Sequence, residues 1–317
     1  MAFEIERDWS SRPGNLILRC CLPFGRNPVC YDSAMSESAA EPSRTYVMTH
    51  TDAERRRLAL QASIINPFTN RFLRDAGIAG GMHVLDFACG VGDVSLNVGR
   101  LVGGHGSVTG VDIDPEALAI ATARAKEEGL DHVRFVQADL GTFESGTQYD
   151  AVTARHILIH TPDPLALIRR AQSFIRPGGV LAFQEFDLSF SGPKFNDMPV
   201  WAACSNAITA LFERTGLPVR AGALLYTWFL EAGLPIPECR LEFLVEGGED
   251  SFYDEWIADT MRSLMPKMVA LGILLPDTLD IDTLQEDLRR EAANTRRPLI
   301  VGPMGAAFVR TPAHSQG

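Results

Sequence analysis

A glycine-rich turn and two acidic residues carry the strongest chemical signal in this sequence. The turn runs from Asp86 to Gly92 (DFACGVG) and follows a short apolar run typical of a strand. Glycines such as Gly90 and Gly92 let a ligand approach the backbone and reach N–H groups at the start of the next helix. Asp112 and Asp139 each follow a further strand-like run. Their carboxylates could accept the hydroxyls of a ribose and the amine of an adenine, so the pattern predicts an adenosine-containing ligand.

The same features would also suit a dinucleotide-binding enzyme, whose fingerprint is G-x-G-x-x-G. Gly90 and Gly92 supply the first two glycines, but Ser95 stands where the third is required. Asp93 adds a negative charge beside the turn, where a pyrophosphate would have to bind. An NAD(P)-dependent oxidoreductase is therefore the less favoured interpretation, and an adenosyl ligand without phosphates is preferred.

Alternating strand and helix patterns place these residues at one edge of a predicted sheet. Five strand-like runs alternate with helical patterns, which is typical of a parallel sheet covered by helices. The predicted strands are 83–87, 107–111, 133–136, 149–154 and 180–185, and the predicted helices are 93–102, 115–128 and 164–175, the last ended by Pro177 and two glycines.

The segments on either side are predicted to be mainly helical. A helix over 52–73 is expected to be divided into two pieces at Pro67. The first 47 residues lack periodicity and are expected to form a disordered leader. After Asp187 the predicted helices are 200–215, 221–232, 252–271 and 282–295, with a sixth strand at 240–245 and parts of a final strand at 299–301 and 306–309.

In this order the motifs resemble the class I S-adenosylmethionine-dependent methyltransferases, in particular the small-molecule group that includes quinone C-methyltransferases. The similarity covers residues 81 to 187, including the turn, Asp112, Asp139, YDAV at 149–152 and RPGG at 176–179. It implies an α/β fold with a Rossmann-like, seven-stranded mixed sheet and helical cap insertions. The expected division is a leader (1–47), N-terminal helices (48–80), a cofactor-binding core (81–190), a helical cap with a sixth strand (191–298) and a final strand (299–312).

The resemblance also implies the cofactor, S-adenosyl-L-methionine, and the residues that contact it. The glycines would border its methionine part, Asp112 would bind the ribose, and Asp139 would hold the adenine edge. Ala88 departs from the family, which commonly has glycine there. The full implied set is Asp86, Ala88, Gly90, Gly92, Asp112, Ile113, Asp139, Leu140, Ala154 and Arg155.

A methyl acceptor that must lose a proton would need a general base. Candidates follow the fourth and fifth strands, where ligands bind in such sheets. They are His156, His160 and Glu185, with Asp187 beside them. Each has a structural alternative: the histidines could bond within their loop, Glu185 could pair with a cation, and Arg155 could form a structural salt bridge. No metal-ligand spacing is present in the sequence, so no metal is expected.

The segment after the fifth strand suggests the nature of the substrate. It is rich in aromatic and methionine side chains, which would line a hydrophobic substrate site, pack the cap onto the core or form a dimer interface. The predicted reaction is methylation of a small, partly hydrophobic metabolite, with secondary metabolism as one setting. Oxygen is the favoured acceptor atom, and carbon and nitrogen are the alternatives. The residues concerned are Trp201, Phe212, Phe252, Tyr253, Trp256, Met261, Leu264, Met265 and Met268.

Composition limits the other classes of function. The 317 residues carry 40 acidic and 29 basic side chains, a net charge of −11, which disfavours a nucleic-acid partner. No apolar run is long enough to cross a bilayer. The six cysteines form no CxxC pair, which favours a cytoplasmic protein, and a homodimer is one expected assembly. The competing class is a non-catalytic S-adenosylmethionine-binding regulatory protein.

Overall fold

The computed structural model of the chain describes residues 52–190, 197–247, 251–276 and 279–313. The predicted leader, residues 1–47, lies outside the described residues. In the described part, no helix is both long and apolar enough to cross a membrane.

Seven strands of the described chain form one mixed sheet in the order β3-β2-β1-β4-β5-β7-β6. Strand β7 runs antiparallel to β5 and β6, whereas the pairings from β3 through β5 are parallel. The predicted seven-stranded mixed sheet is therefore confirmed. The strands are β1 (His83–Phe87), β2 (Ser107–Asp112), β3 (Val133–Gln137), β4 (Tyr149–Arg155), β5 (Ile175–Phe186), β6 (Glu238–Glu246) and β7 (Leu299–Arg310).

The helices follow the predicted order, and polar caps define some of their ends. Asp114 and Asp163 each precede a proline and accept a backbone N–H of the first helical turn, from Glu116 at 2.9 Å and Ala166 at 2.9 Å. The helices are α1 (Asp52–Asp75), α2 (Asp93–Val102), α3 (Pro115–Glu127), α4 (Pro164–Gln172), α5 (Pro199–Arg214), α6 (Ala221–Glu231), α7 (Tyr253–Ala270) and α8 (Leu284–Thr295).

Three predicted boundaries are wrong. Helix α1 continues through Pro67, because its apolar face, including Ile65 and Phe72, is buried in the core. The RPGG stretch lies inside β5, which begins at Ile175. An irregular register between β4 and β5 accommodates it, and Gly178 donates its N–H to Pro312. The two pieces expected near the C-terminus form the single 12-residue strand β7.

Three apolar clusters hold the layers together. One packs α2 and the end of α1 against one face of the sheet, and a second packs α4 and α6 against the other face. The third joins α1, α5, α7 and α8. Seven of the nine aromatic and aliphatic residues proposed for the cap are buried in this third cluster, whereas Phe252 is 53% exposed. The packing alternative thus accounts for most of these side chains.

Helix α6 approaches β7 closely enough for backbone to meet backbone. A Cβ atom built on Gly305 would lie 2.3 Å from the carbonyl oxygen of Gly222. The buried carboxylate of Asp187 fixes the same helix end, because it accepts the N–H of Ala223 at 2.7 Å. This contact holds α6 directly beside the carboxyl end of β5, next to the predicted site.

Candidate cofactor and substrate site

The turn after β1 uses left-handed backbone at three positions. Ala88, Gly90 and Gly92 have φ values of 54°, 52° and 87°. A Cβ on Gly92 would meet the Cβ of Ala121 at 2.9 Å, so packing requires glycine there. Nothing lies within 4 Å of the Cβ position of Gly90, so its glycine leaves an open approach for a ligand. Left-handed φ at Ala88 costs about 1 kcal/mol, which explains why glycine suits that position.

Asp86 supports the turn from below. Its side chain is buried, with one oxygen accepting from Ser95 Oγ at 2.6 Å and the other from Thr153 Oγ1 at 3.1 Å. Burial raises the pKa of Asp86 to about 6, although both hydroxyl groups act to lower it. Asp86 therefore ties together β1, α2 and β4 beneath the position predicted for the cofactor.

Asp112 reaches from the end of β2 to the same turn. Its Oδ2 accepts the N–H of Gly90 at 2.7 Å, and its Oδ1 accepts the N–H of Asp114 at 3.0 Å. The carboxylate is only partly buried and retains free lone pairs, since each oxygen can accept two hydrogen bonds. Asp112, the residue predicted to bind the ribose, and the glycine turn thus belong to one site, as a shared cofactor-binding crevice would require.

Asp139 lies at the neighbouring strand end. The N–H of Ala138 donates to Asp112 O at 2.9 Å, which holds the end of β3 beside the end of β2. Asp139 is exposed and accepts the N–H of Gly141 at 2.9 Å, while Ile113 is 40% exposed. The four predicted adenosine contacts, including Leu140, therefore share one sheet edge. Their contact with a cofactor stays a prediction.

The charge of Asp93 is balanced by two arginines. Arg124 donates to it at 2.8 Å, and Arg155 lies 3.8 Å away with a buried side chain. Arg155 also donates to Asn66 at 2.9 Å and Thr69 at 3.1 Å, so it joins α1 to the start of α2. The structural salt bridge considered for Arg155 is present. Because these arginines offset the charge of Asp93, repulsion of a pyrophosphate is a weaker argument against a dinucleotide than the sequence suggested. The absence of the third glycine still counts against a dinucleotide.

Glu185 organises the loop after β4. It is fully buried, and its carboxylate accepts the N–H groups of Ile157 at 3.0 Å, Leu158 at 2.8 Å and Ile159 at 3.3 Å. No cation pairs with it among the described residues. These bonds give Glu185 a structural task, and its assignment as a base stays a prediction.

The two candidate histidines are partly buried, and an aromatic ring contacts each of them. His156 has a φ of 57°, donates its N–H to Gln184 O at 2.9 Å and stacks on Phe186. Burial, followed by the charge of Arg155, holds the pKa of His156 well below its ordinary value. Burial lowers the pKa of His160 to about 4. Both rings are neutral near pH 7, so proton uptake by either would be unfavourable in this conformation.

Polar side chains of α1 and β5 lie around His156, and no pattern in the sequence indicated them. Gln61 contacts its Nδ1, and Thr69 donates to Gln184 Oε1 at 2.6 Å. Polar side chains in an otherwise amphipathic helix are usually solvated, so their spacing gave no signal. Among the described residues no group of three or more His, Cys, Asp or Glu side chains lies close enough together to hold a metal ion.

Replacing Glu185 by glutamine is expected to alter the pH dependence of folding. Burial raises the pKa of Glu185 to about 8, whereas the value in the unfolded chain is near 4.5. Between these values the folded protein binds a proton that the unfolded chain lacks, so this residue makes stability fall as pH rises from about 4.5 to 8. Urea unfolding across that range should show a flatter profile for Glu185→Gln. The exposed Glu286→Gln serves as control, and an unchanged profile in Glu185→Gln would contradict the assignment.

Comparison with known proteins places this geometry in a family. Residues 78–233 match a family model described as a methyltransferase domain. A demethylmenaquinone methyltransferase of Lactococcus lactis subsp. lactis (strain IL1403) is 27% identical over 154 residues, covering 48% of this chain and 61% of that protein. A ubiquinone biosynthesis O-methyltransferase of Aeromonas salmonicida (strain A449) is 35% identical over 117 residues, covering 36% of this chain and 48% of that protein.

The matching region is thus a class I S-adenosylmethionine-dependent methyltransferase domain, and the predicted class, fold and cofactor are confirmed for it. The chain spans only about half to three-fifths of the curated relatives it matches. Among solved structures, the YcgJ protein of Bacillus subtilis is similar over 82% of this chain and 100% of that one, with 16% identity and a TM-score of 0.48. The strand order, rather than this similarity, defines the fold.

Proposed function

We propose that the chain is an active S-adenosylmethionine-dependent methyltransferase that methylates a small, partly hydrophobic metabolite, with oxygen as the favoured acceptor atom. The observation that carries the proposal is the hydrogen bond from Gly90 N–H to Asp112. It joins the open glycine turn and the ribose-type carboxylate into one site. The relative named as an O-methyltransferase, 35% identical over 117 residues, supports oxygen as the acceptor.

The residues present fit this cofactor. The open, left-handed position at Gly90 leaves room beside the backbone, and each Asp112 oxygen keeps capacity to accept a hydroxyl besides its backbone N–H. When bound, S-adenosylmethionine supplies a methyl group on a sulfonium, which is an electrophile that requires no phosphate-binding groups. The buried layer of α1, α5 and α7 would keep water from the carboxyl ends of β4 and β5, as methyl transfer requires.

The chain's own residues have separate tasks in this proposal. Asp86 supports the turn, Asp112 binds the ribose, and Asp139 with Leu140 holds the adenine edge. Arg155 braces α1 over the methionine end through its bonds to Asn66 and Thr69. Displacement at a methyl carbon depends mainly on alignment, so a binding site that fixes both partners can supply much of the rate without a strong base.

Calorimetric titration with S-adenosylhomocysteine, NAD and NADP tests the cofactor assignment. We expect S-adenosylhomocysteine to bind and both nicotinamide cofactors to give no heat of binding. Binding of NAD or NADP alone would favour the oxidoreductase instead.

A screen of phenols, carboxylic acids and amines with methyl-labelled cofactor tests catalysis and the acceptor atom. We expect label to appear on oxygen. Cofactor binding with no transfer to any acceptor would favour the regulatory protein, and label on carbon or nitrogen would correct the acceptor. Analytical ultracentrifugation of the same sample tests the predicted homodimer.

A further inference from the structure

Three aromatic rings stand in a row at the carboxyl ends of β4 and β5. His156 stacks on Phe186 with 4.3 Å between ring centroids and 15° between planes. A second aromatic ring beside Phe186 is that of Trp256 in α7, with 5.7 Å between the ring centroids. The two distances limit the separation of the His156 and Trp256 rings to about 10 Å. Strand β4 pairs with β1, so this row lies one strand away from the cofactor turn.

Two buried nitrogens of this row have no hydrogen-bond partner among the residues that the structure describes. They are Nε2 of His156 and Nε1 of Trp256, whose side chain is only 5% exposed. The indole nitrogen can only donate. A buried donor without an acceptor costs about 1–3 kcal/mol of folding free energy. Two unpartnered nitrogens beside the Phe186 ring therefore indicate that a hydrogen-bond acceptor comes from outside the described residues.

The neighbours of His156 determine which of its ring nitrogens carries the proton. Arg57 donates to Oε1 of Gln61 at 2.8 Å, which fixes the orientation of that amide. The amide Nε2 therefore faces Nδ1 of His156, at 3.3 Å. An amide nitrogen donates, so Nδ1 must accept, and the neutral ring must carry its proton on Nε2. His156 thus presents an N–H donor rather than a basic lone pair.

We propose that His156 and Trp256 form a recognition site for an oxygen atom that accepts hydrogen bonds and is carried by a flat conjugated ring. The molecule that carries this ring would be the substrate of the methyltransferase proposed above. The inference rests on that proposed function. Two N–H donors select a carbonyl or phenolate oxygen and disfavour an ammonium group, which has only protons to offer. Flat rings suit a wall of aromatic side chains. In this role His156 binds and orients the substrate, since its Nε2 has no lone pair with which to take a proton.

Paired ligands of equal shape test the site in the full chain saturated with S-adenosylhomocysteine. Naphthyl methyl ketone offers a carbonyl acceptor, and isopropenylnaphthalene has the same shape without one. By calorimetry we expect the ketone to bind about tenfold more tightly, as one buried hydrogen bond would provide. His156→Phe and Trp256→Phe keep an aromatic ring but remove the donor. Each should reduce this preference, measured as the ratio of the two affinities for the same variant.

Three outcomes would overturn the proposal: equal binding of the two ligands, binding of neither, or a ketone preference that survives both substitutions. The initial titration with S-adenosylhomocysteine shows whether the recognition site alone is wrong or the proposed methyltransferase function is wrong as well. If that titration fails, the proposed function is wrong, and the ligand pair is then compared on the free protein.

A spectroscopic measurement follows the His156 ring in the unaltered protein, and a variant serves only to assign its signal. In ¹⁵N-labelled protein, the imidazole shifts should show the His156 proton on Nε2 at pH 7, with the signal identified by its loss in His156→Phe. The Nε2–H signal should shift on addition of the ketone. A proton on Nδ1, or a signal that the ketone leaves in place, contradicts the proposal.

Discussion

Replacing Asp112 by alanine is expected to weaken the binding of S-adenosylhomocysteine by about 2 kcal/mol, roughly 30-fold. The carboxylate accepts the N–H of Gly90 at 2.7 Å and that of Asp114 at 3.0 Å, and each oxygen can accept one further hydrogen bond. The substitution therefore removes the proposed ribose acceptor and loosens the turn that borders the methionine part. Isothermal titration calorimetry at fixed pH and salt measures the change.

A matched control distinguishes the site from general effects of removing an acidic side chain. Asp163 also accepts a backbone N–H near a helix start, from Ala166, but it caps α4. Asparagine caps helices as well as aspartate does, so Asp163→Asn should bind S-adenosylhomocysteine with unchanged affinity. Equal affinities for Asp112→Ala and the unaltered protein would show that the ribose is placed elsewhere.

Replacing Gly305 by alanine is expected to lower the free energy of unfolding by about 3 kcal/mol, at the upper end of the cost of overpacking. The added Cβ would lie 2.3 Å from the Gly222 carbonyl oxygen, and no side chain can move aside to relieve a backbone contact. Strand β7 or helix α6 would have to shift. For a chain of 317 residues the midpoint of thermal unfolding should fall by about 4 to 5 °C.

Gly104→Ala is the control for this substitution, because nothing lies within 4 Å of its Cβ position and its φ is not left-handed. Its stability should stay within about 0.5 kcal/mol of the unaltered protein. The displacement of α6 would also disturb the Asp187–Ala223 contact beside β5, so cofactor affinity should be measured for both variants. A Gly305→Ala protein as stable as the control would show that the helix and strand separate readily.

Local patterns in the sequence were sufficient for most elements of the core. The short apolar runs of β1 to β4 and the helix starts at Asp93 and Pro115 depend on residues close in the chain, so they were predicted within one or two residues. Predictions failed where distant contacts outweigh local preference. Burial of one face of α1 outweighs Pro67, and pairing with β4 and β7 draws the RPGG stretch into β5.

The grouping of the candidate cofactor residues also followed from the sequence. Parallel strands end at one edge, so alternation alone predicts that Asp86, Asp112 and Asp139 meet there. The structure then shows Asp112 bonded to the turn that carries Gly90. Spacing sufficed because each of these residues ends a strand whose direction the alternation already determines.

By itself the sequence determined the sheet, the edge at which the candidate cofactor residues lie and the class of domain. Only the tertiary structure decided the environment of each side chain. It paired Asp93 with Arg124 and Arg155, gave Glu185 three backbone donors, and brought Gln61 and Trp256 to the ring of His156 and its neighbour Phe186. These contacts join segments far apart in the chain. Protonation, tautomer and ion pairing depend on such neighbours, and neither composition nor periodicity encodes which distant residues will be adjacent.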